Sequence, residues 1–158
     1  MNSPHDHHAH AHHAGGPDAG LARLTTAATL HCLLGCAIGE LIGLAIGVSL
    51  GLGAWSTVVL ATTLGFASGF ALSLLPLLRQ GMNLQSAWRA IWLGEAISIA
   101  AMELAMNVAD YAVGGMGVGS MLHPMFWGGY AAALVAGFAV AWPINRYMLA
   151  QEIKQPCH

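Results

Sequence analysis

Charge is what this sequence has least of. Across 158 residues there are five Lys and Arg and seven Asp and Glu, 8% of the chain, and the net charge is −2. A soluble domain carries about 25% charged residues. So few bases exclude a nucleic-acid binder. Cysteine is also scarce: three residues form no disulfide framework. Strand-like alternation is absent, which argues against an outer-membrane barrel. What is abundant is apolar surface, at 56% hydrophobic residues. A chain this apolar cannot stay disordered. It reads as an integral membrane protein.

A spanning helix needs about 20 mostly apolar residues. Four stretches qualify, 27–51, 55–78, 88–111 and 125–150. The turns between them are marked by Gly51 and Gly53, by Arg79, Gly81 and Asn83, and by a glycine-rich segment ending at Pro124. The first span carries Glu40 and is too long for a signal-peptide core, so it is read as uncleaved. The predicted fold is all-α, a four-helix transmembrane bundle. Three parts are expected: a disordered His-rich tail over 1–22, the bundle over 23–151 and a short tail over 152–158.

The bases set the orientation. Arg23, Arg79, Arg89, Arg146 and Lys154 all fall on one side of a four-span chain. The positive-inside rule then places both termini in the cytoplasm, and the bundle in the inner membrane. Trp55, Tyr111, Trp127 and Tyr130 form the outer aromatic belt, and Trp88, Trp92 and Tyr147 the inner one. Gly35, Gly39, Gly43, Gly47 and Gly51 recur at every fourth position. Such a row allows close helix approach. It predicts a compact bundle and is compatible with a homo-oligomer.

Four acids lie inside spans: Glu40, Glu95, Glu103 and Asp110. A charged carboxylate near the bilayer centre costs roughly 2.5–3.5 kcal/mol. Arg146 is the one internal base placed to answer Glu95. Glu40 and Glu103 are left to be protonated, hydrogen-bonded or bound to a cation. In the third span Glu95, Ser98, Met102, Glu103, Met106, Asn107 and Asp110 share one half of the helical wheel. That half must face protein or water. Cys32, Cys36 and Glu40 line one face of the first span, with His31 beside them on the glycine row. By depth, Cys36 and Glu40 are expected to face Glu95 and Met102.

Sulfur beside carboxylate suggests a metal. Thiolate and thioether favour soft ions such as copper(I), and imidazole suits copper, zinc and iron. The candidate metal ligands are Cys32, Cys36, Glu40 and Met102, followed by His31, Glu95, Met106, Glu103 and Asp110. His5, His7, His8, His10, His12 and His13 make the N-terminal tail a metal-binding tract, and Cys157–His158 closes the chain on the same side. The Ala and Asp interruptions distinguish that tract from an expression tag. Met116, Met121, His123 and Met125 lie in the outer turn as soft ligands or flexible apolar filling, and filling is the favoured reading for Met116 and Met121.

The runs His31–Cys32–Leu33–Leu34–Gly35–Cys36–Ala37–Ile38–Gly39–Glu40, Gly94–Glu95 and Met102–Glu103–Leu104–Ala105–Met106–Asn107–Val108–Ala109–Asp110 resemble a family of small bacterial four-helix membrane proteins. That family is classed as a domain of unknown function and is often associated with copper-handling proteins. The resemblance covers about residues 25–150 and leaves the His-rich tail outside. It implies copper as the ion and a copper-handling protein as a partner, without implying an activity.

The leading expectation is binding or transport of copper, or another soft metal, through the bundle interior, with no catalysis required. One alternative is a membrane redox enzyme or electron carrier. No pair of Glu-x-x-His motifs is present for a di-iron site, and His31 and His123 lie on opposite sides, against a bis-His haem. Another alternative is a non-catalytic subunit of a larger membrane assembly.

Overall fold

The computed structural model describes residues 17–151. The His-rich segment 5–13 and Cys157–His158 lie outside the described residues. Four long helices follow in order: α1 (Pro17–Ser49), α2 (Ala54–Arg79), α3 (Leu84–Val113) and α4 (Pro124–Ala150). A single 3-10 turn, Gly115–Gly117, lies between α3 and α4. All four helices are long and apolar enough to cross a bilayer, which makes this a multi-pass membrane protein. The helices match the expected spans, except that α1 begins at Pro17, ten residues before the expected start. At 1.5 Å per residue α1 is about 50 Å long, more than the hydrocarbon core is thick.

The turns obey local chemistry. Asn83 caps α3, its side chain accepting from Ser86 N at 2.8 Å. Gly114 ends α3 with φ 87°, a left-handed conformation that glycine adopts without a Cβ penalty. Pro124 opens α4, where its missing N–H is no loss, and His123 caps it by accepting from Met125 N at 3.2 Å. Gly51 adopts φ 63° in the first turn. It therefore terminates the glycine row rather than extending its packing face.

The short turns make an up-down-up-down bundle. α1 packs most extensively on α2 and α3 on α4, with α1–α4 and α2–α3 closing the ring. Arg23, Arg79, Arg89 and Arg146 gather at one end, called here the basic end. The turns carrying Gly51, Gly53 and Gly114–Gly119 form the other, glycine-rich end.

The glycine row is used inside the chain. A Cβ on Gly35 would lie 2.9 Å from Gly69 Cα. One on Gly39 would collide with Leu64 O and Ser68 Oγ, and one on Gly43 with Ala61. The close approach also lets a side chain bridge the two helices: the Ser68 hydroxyl donates to Gly35 O at 2.6 Å. Every fourth residue of α2 from Thr57 to Ser73 is buried, and all five are small. The opposite face of α1 carries Leu30, Leu34, Ile38, Ile42 and Ile46, all exposed, as a lipid-facing stripe should be.

α3 is the exception to this small-residue packing. It buries Glu95, Ile99, Met102, Glu103 and Met106, and turns Leu93, Ile97, Leu104 and Val108 outward. The expected division of its wheel holds, and the bundle is built to accommodate one polar, bulky helix face.

Candidate functional site

The middle of the bundle is a buried core that includes four sulfur-bearing side chains. Cys32, Cys36, Met102 and Met106 belong to one buried core with Ile99, Ala133 and Ala141. Cys32 and Cys36 are four residues apart on α1, which stacks them on one face, and their thiols are near enough to hydrogen-bond. They form no disulfide. Both thioethers come from α3, where residues four apart again share a face. Gly137 of α4 makes room for them: a Cβ there would lie 2.7 Å from Met106 Cγ and 3.2 Å from Met102 Cγ. Gly69 does the same for Cys36, whose Sγ would be 3.1 Å from an added Cβ.

Glu103 sits next to this cluster. It is 2% exposed, and its Oε1 fills the notch left by Gly65. The Cys36 thiol is its polar neighbour on α1. No nitrogen or oxygen donor among the described residues reaches either carboxyl oxygen. Glu40 is 5% exposed and its Oε2 likewise has no hydrogen-bond partner. It lies within electrostatic reach of Glu103 on one side and Asp110 on the other. Orphaned buried polar groups cost about 1–3 kcal/mol each, so natural structures retain few of them.

Asp110 is half-buried toward the glycine-rich end. Its Oδ1 is wedged between Gly115 and Gly129, at either of which a Cβ would collide with it. It also lines a cavity of about 300 Å³.

The other predicted ligands are placed differently. Glu95 is buried, but it is eight residues from Glu103, about 12 Å along the helix, near the level of Ser98. The expected meeting of Cys36 and Glu40 with Glu95 therefore does not form; Cys36 meets Glu103 instead. Arg146 lies 3.7 Å from Asp18 and over the Trp142 ring, so Asp18 is its acidic partner rather than Glu95. His31 faces α2. Its Nε2 is 3.2 Å from Leu72 O, the carbonyl four residues before Pro76. Pro76 has no N–H to offer that carbonyl, and the imidazole supplies the missing donor.

Several contributors were not visible as such in the sequence. Tyr130, assigned to the outer aromatic belt, instead donates its hydroxyl to Ala37 O at 2.7 Å, one helix away. Ser98 Oγ donates to Asn145 Oδ1 at 2.7 Å, and Asn145 Nδ2 donates to Thr29 Oγ1 at 2.9 Å. An Asn in the apolar fourth span was the available signal for that network.

Among the described residues, no group of three or more His, Cys, Asp and Glu side chains is gathered closely enough to hold a metal ion. A closed site for a divalent ion, which wants four ligands, is thus not assembled from them. The thioethers of Met102 and Met106, in the same buried core, are outside that donor set.

One family model, described as a domain of unknown function (DUF4396), matches residues 23–154. The chain belongs to this family. The match takes in α2, α3 and α4 whole and α1 from Arg23 onward, with every residue of the sulfur and carboxylate cluster; the His-rich segment precedes it. No curated protein and no solved structure matches the sequence.

Proposed function

We propose that this protein handles a soft metal cation within the membrane, copper(I) foremost, as cargo bound or passed along by the bundle interior. The observation that carries the reading is the buried grouping of Cys32 and Cys36 with Met102 and Met106. Thiolate and thioether are the donors that select copper(I). A low-coordinate soft cation can be held by two sulfurs alone, without a group of three His, Cys, Asp and Glu ligands. Glu103, beside Cys36 and without an oxygen or nitrogen partner, supplies compensating negative charge. A cation is the group such a carboxylate lacks.

In this reading Cys32 and Cys36 are the primary ligands, Met102 and Met106 the secondary ones, and Glu40, Glu103 and Asp110 the flanking carboxylates. Glu95 and His31 have supporting positions at the basic end. The positive-inside rule puts the basic end, with both termini, in the cytoplasm of a cell whose inner membrane holds the bundle. The N-terminal histidines then lie on the cytoplasmic side, where they hand metal to or from a copper-handling partner.

The test is elemental analysis of the detergent-purified full chain after anaerobic exposure to copper(I), compared with a Cys32→Ser, Cys36→Ser double variant. The copper-to-protein ratio is expected to fall in the variant while the tail's share persists. An equal ratio in the two proteins overturns the reading.

A further inference from the structure

The two ends of the bundle differ in how they meet a cation. At the glycine-rich end a cavity of about 300 Å³ is lined by Leu44, Val48, Thr57, Asp110, Val118 and Phe126, among others. It is large enough for about ten waters. It opens among the exposed Gly51, Leu52, Gly117 and Gly119. Leu44 and Val48 continue the α1 stripe that carries Glu40, so Glu40 lies one turn below the cavity wall. Asp110 belongs to the wall itself and is within electrostatic reach of Glu40. Glu40 in turn is within reach of Glu103, and Glu103 lies against the Cys36 thiol. The carboxylates are more than an acidic cluster. Glu40 and Glu103 are at least nine-tenths buried and aimed into the bundle, and no nitrogen or oxygen donor among the described residues satisfies Glu40 Oε2 or either Glu103 oxygen.

The basic end offers the reverse. Its interior is closed by the Ser98–Asn145–Thr29 hydrogen bonds. Its surface recess is lined by His31 and Arg79, and the guanidinium opposes an approaching cation.

We infer that the cavity at the glycine-rich end is the mouth through which a cation reaches the thiols, with Asp110, Glu40 and Glu103 as successive oxygen stations on the way. The inference rests on the reading of Cys32 and Cys36 as soft-metal ligands and adds the route to them. The stations step inward from a half-buried carboxylate to a fully buried one. Water is shed by degrees, and oxygen ligands give way to sulfur only at the end. Negative charge lining a low-dielectric cleft concentrates cations and accelerates their capture.

The probe is copper(I) itself, added anaerobically to the detergent-solubilised full chain in a Cys157→Ser background. The thiolate-to-copper(I) absorption is followed in stopped flow, and histidine-bound copper does not contribute to it. Asp110→Asn is expected to slow loading by about tenfold. Val118→Trp, in the loop at the cavity wall, is expected to slow it comparably while the end-point absorption stays that of the parent. Leu75→Trp, which fills the recess at the basic end, is expected to leave the rate unchanged.

Loading by both Asp110→Asn and Val118→Trp at the parent rate overturns the route but leaves the thiol site standing. A slower rate in Leu75→Trp alone also overturns it, in favour of entry from the basic end. An absence of any thiolate absorption in the parent overturns the thiol site and the route together.

Discussion

Two groups of buried polar residues in the bundle interior are treated in opposite ways. Toward the basic end, Thr25, Thr29, Ser98 and Asn145 are fully buried and joined by hydrogen bonds of 2.7–2.9 Å. Toward the glycine-rich end, Glu40 and Glu103 are buried to nearly the same degree, and no nitrogen or oxygen donor among the described residues reaches Glu40 Oε2 or either Glu103 oxygen. Satisfied groups tie helices together and hold register. Unsatisfied ones are a cost that stability does not explain. Burial alone does not separate a structural polar residue from a functional one in a membrane; the fate of its hydrogen bonds does. Ser73 qualifies the contrast, because its Oγ is buried and unpartnered at the basic-end side of Gly69.

The contrast breaks most visibly at Asn145. Replacing it with Leu removes the link between α1 and α3 and strands the Ser98 hydroxyl. A loss of about 2 kcal/mol is expected, read as a lowered thermal midpoint in detergent. An unchanged midpoint would mean that the network holds nothing. Glu103→Met should act in the opposite direction, since it removes an orphaned carboxyl and leaves an apolar side chain of similar length. A gain of about 1 kcal/mol is expected, together with weaker copper retention. Equal destabilisation by the two substitutions would erase the distinction between the two groups.

His31 tests the basic end on a finer scale. His31→Ala should cost about 0.6–1 kcal/mol, because Leu72 O is left without a donor. In a Pro76→Ala background the helix supplies its own N–H, so the His31→Ala penalty should largely vanish. A double-mutant cycle on thermal midpoints measures that coupling. The smallest effect is expected at Asp18. Its carboxylate is 95% exposed and 3.7 Å from Arg146, so Asp18→Asn should leave the midpoint unchanged.

Much of this architecture is legible in the sequence because a membrane enforces simple rules. Hydropathy and turn residues place four spans to within a few residues at most ends. The wheel of α3 divides as its 3.6-residue period demands, since no polar half can face lipid. The early start of α1 was not legible: residues before Ala27 extend the helix past the hydrocarbon core, where hydropathy has no say. Neither were the partnerships. That Cys36 meets Glu103 and not Glu95 depends on the stagger of α1 against α3, which the Gly35–Gly69 and Gly65–Glu103 contacts set across three helices. His31 read as a ligand because imidazole beside thiol is a metal pattern. Its observed task follows from Pro76, on another helix and 45 residues away. Tyr130 read as belt because its position in the span is right for one, and its hydroxyl bond to Ala37 O is a tertiary event.

The glycine notches have a consequence for how such a protein can change over time. Gly65 is the space that Glu103 occupies, Gly69 the space beside Cys36, and Gly137 the space for Met102 and Met106. Each of these side chains is therefore specified twice, once by its own identity and once as a void on a neighbouring helix. A mutation that fills the void evicts the side chain even though that residue itself is untouched. Replacement of one such side chain by another of different shape must proceed by paired steps on two helices, so the interior of this bundle should drift slowly while its lipid-facing residues drift freely.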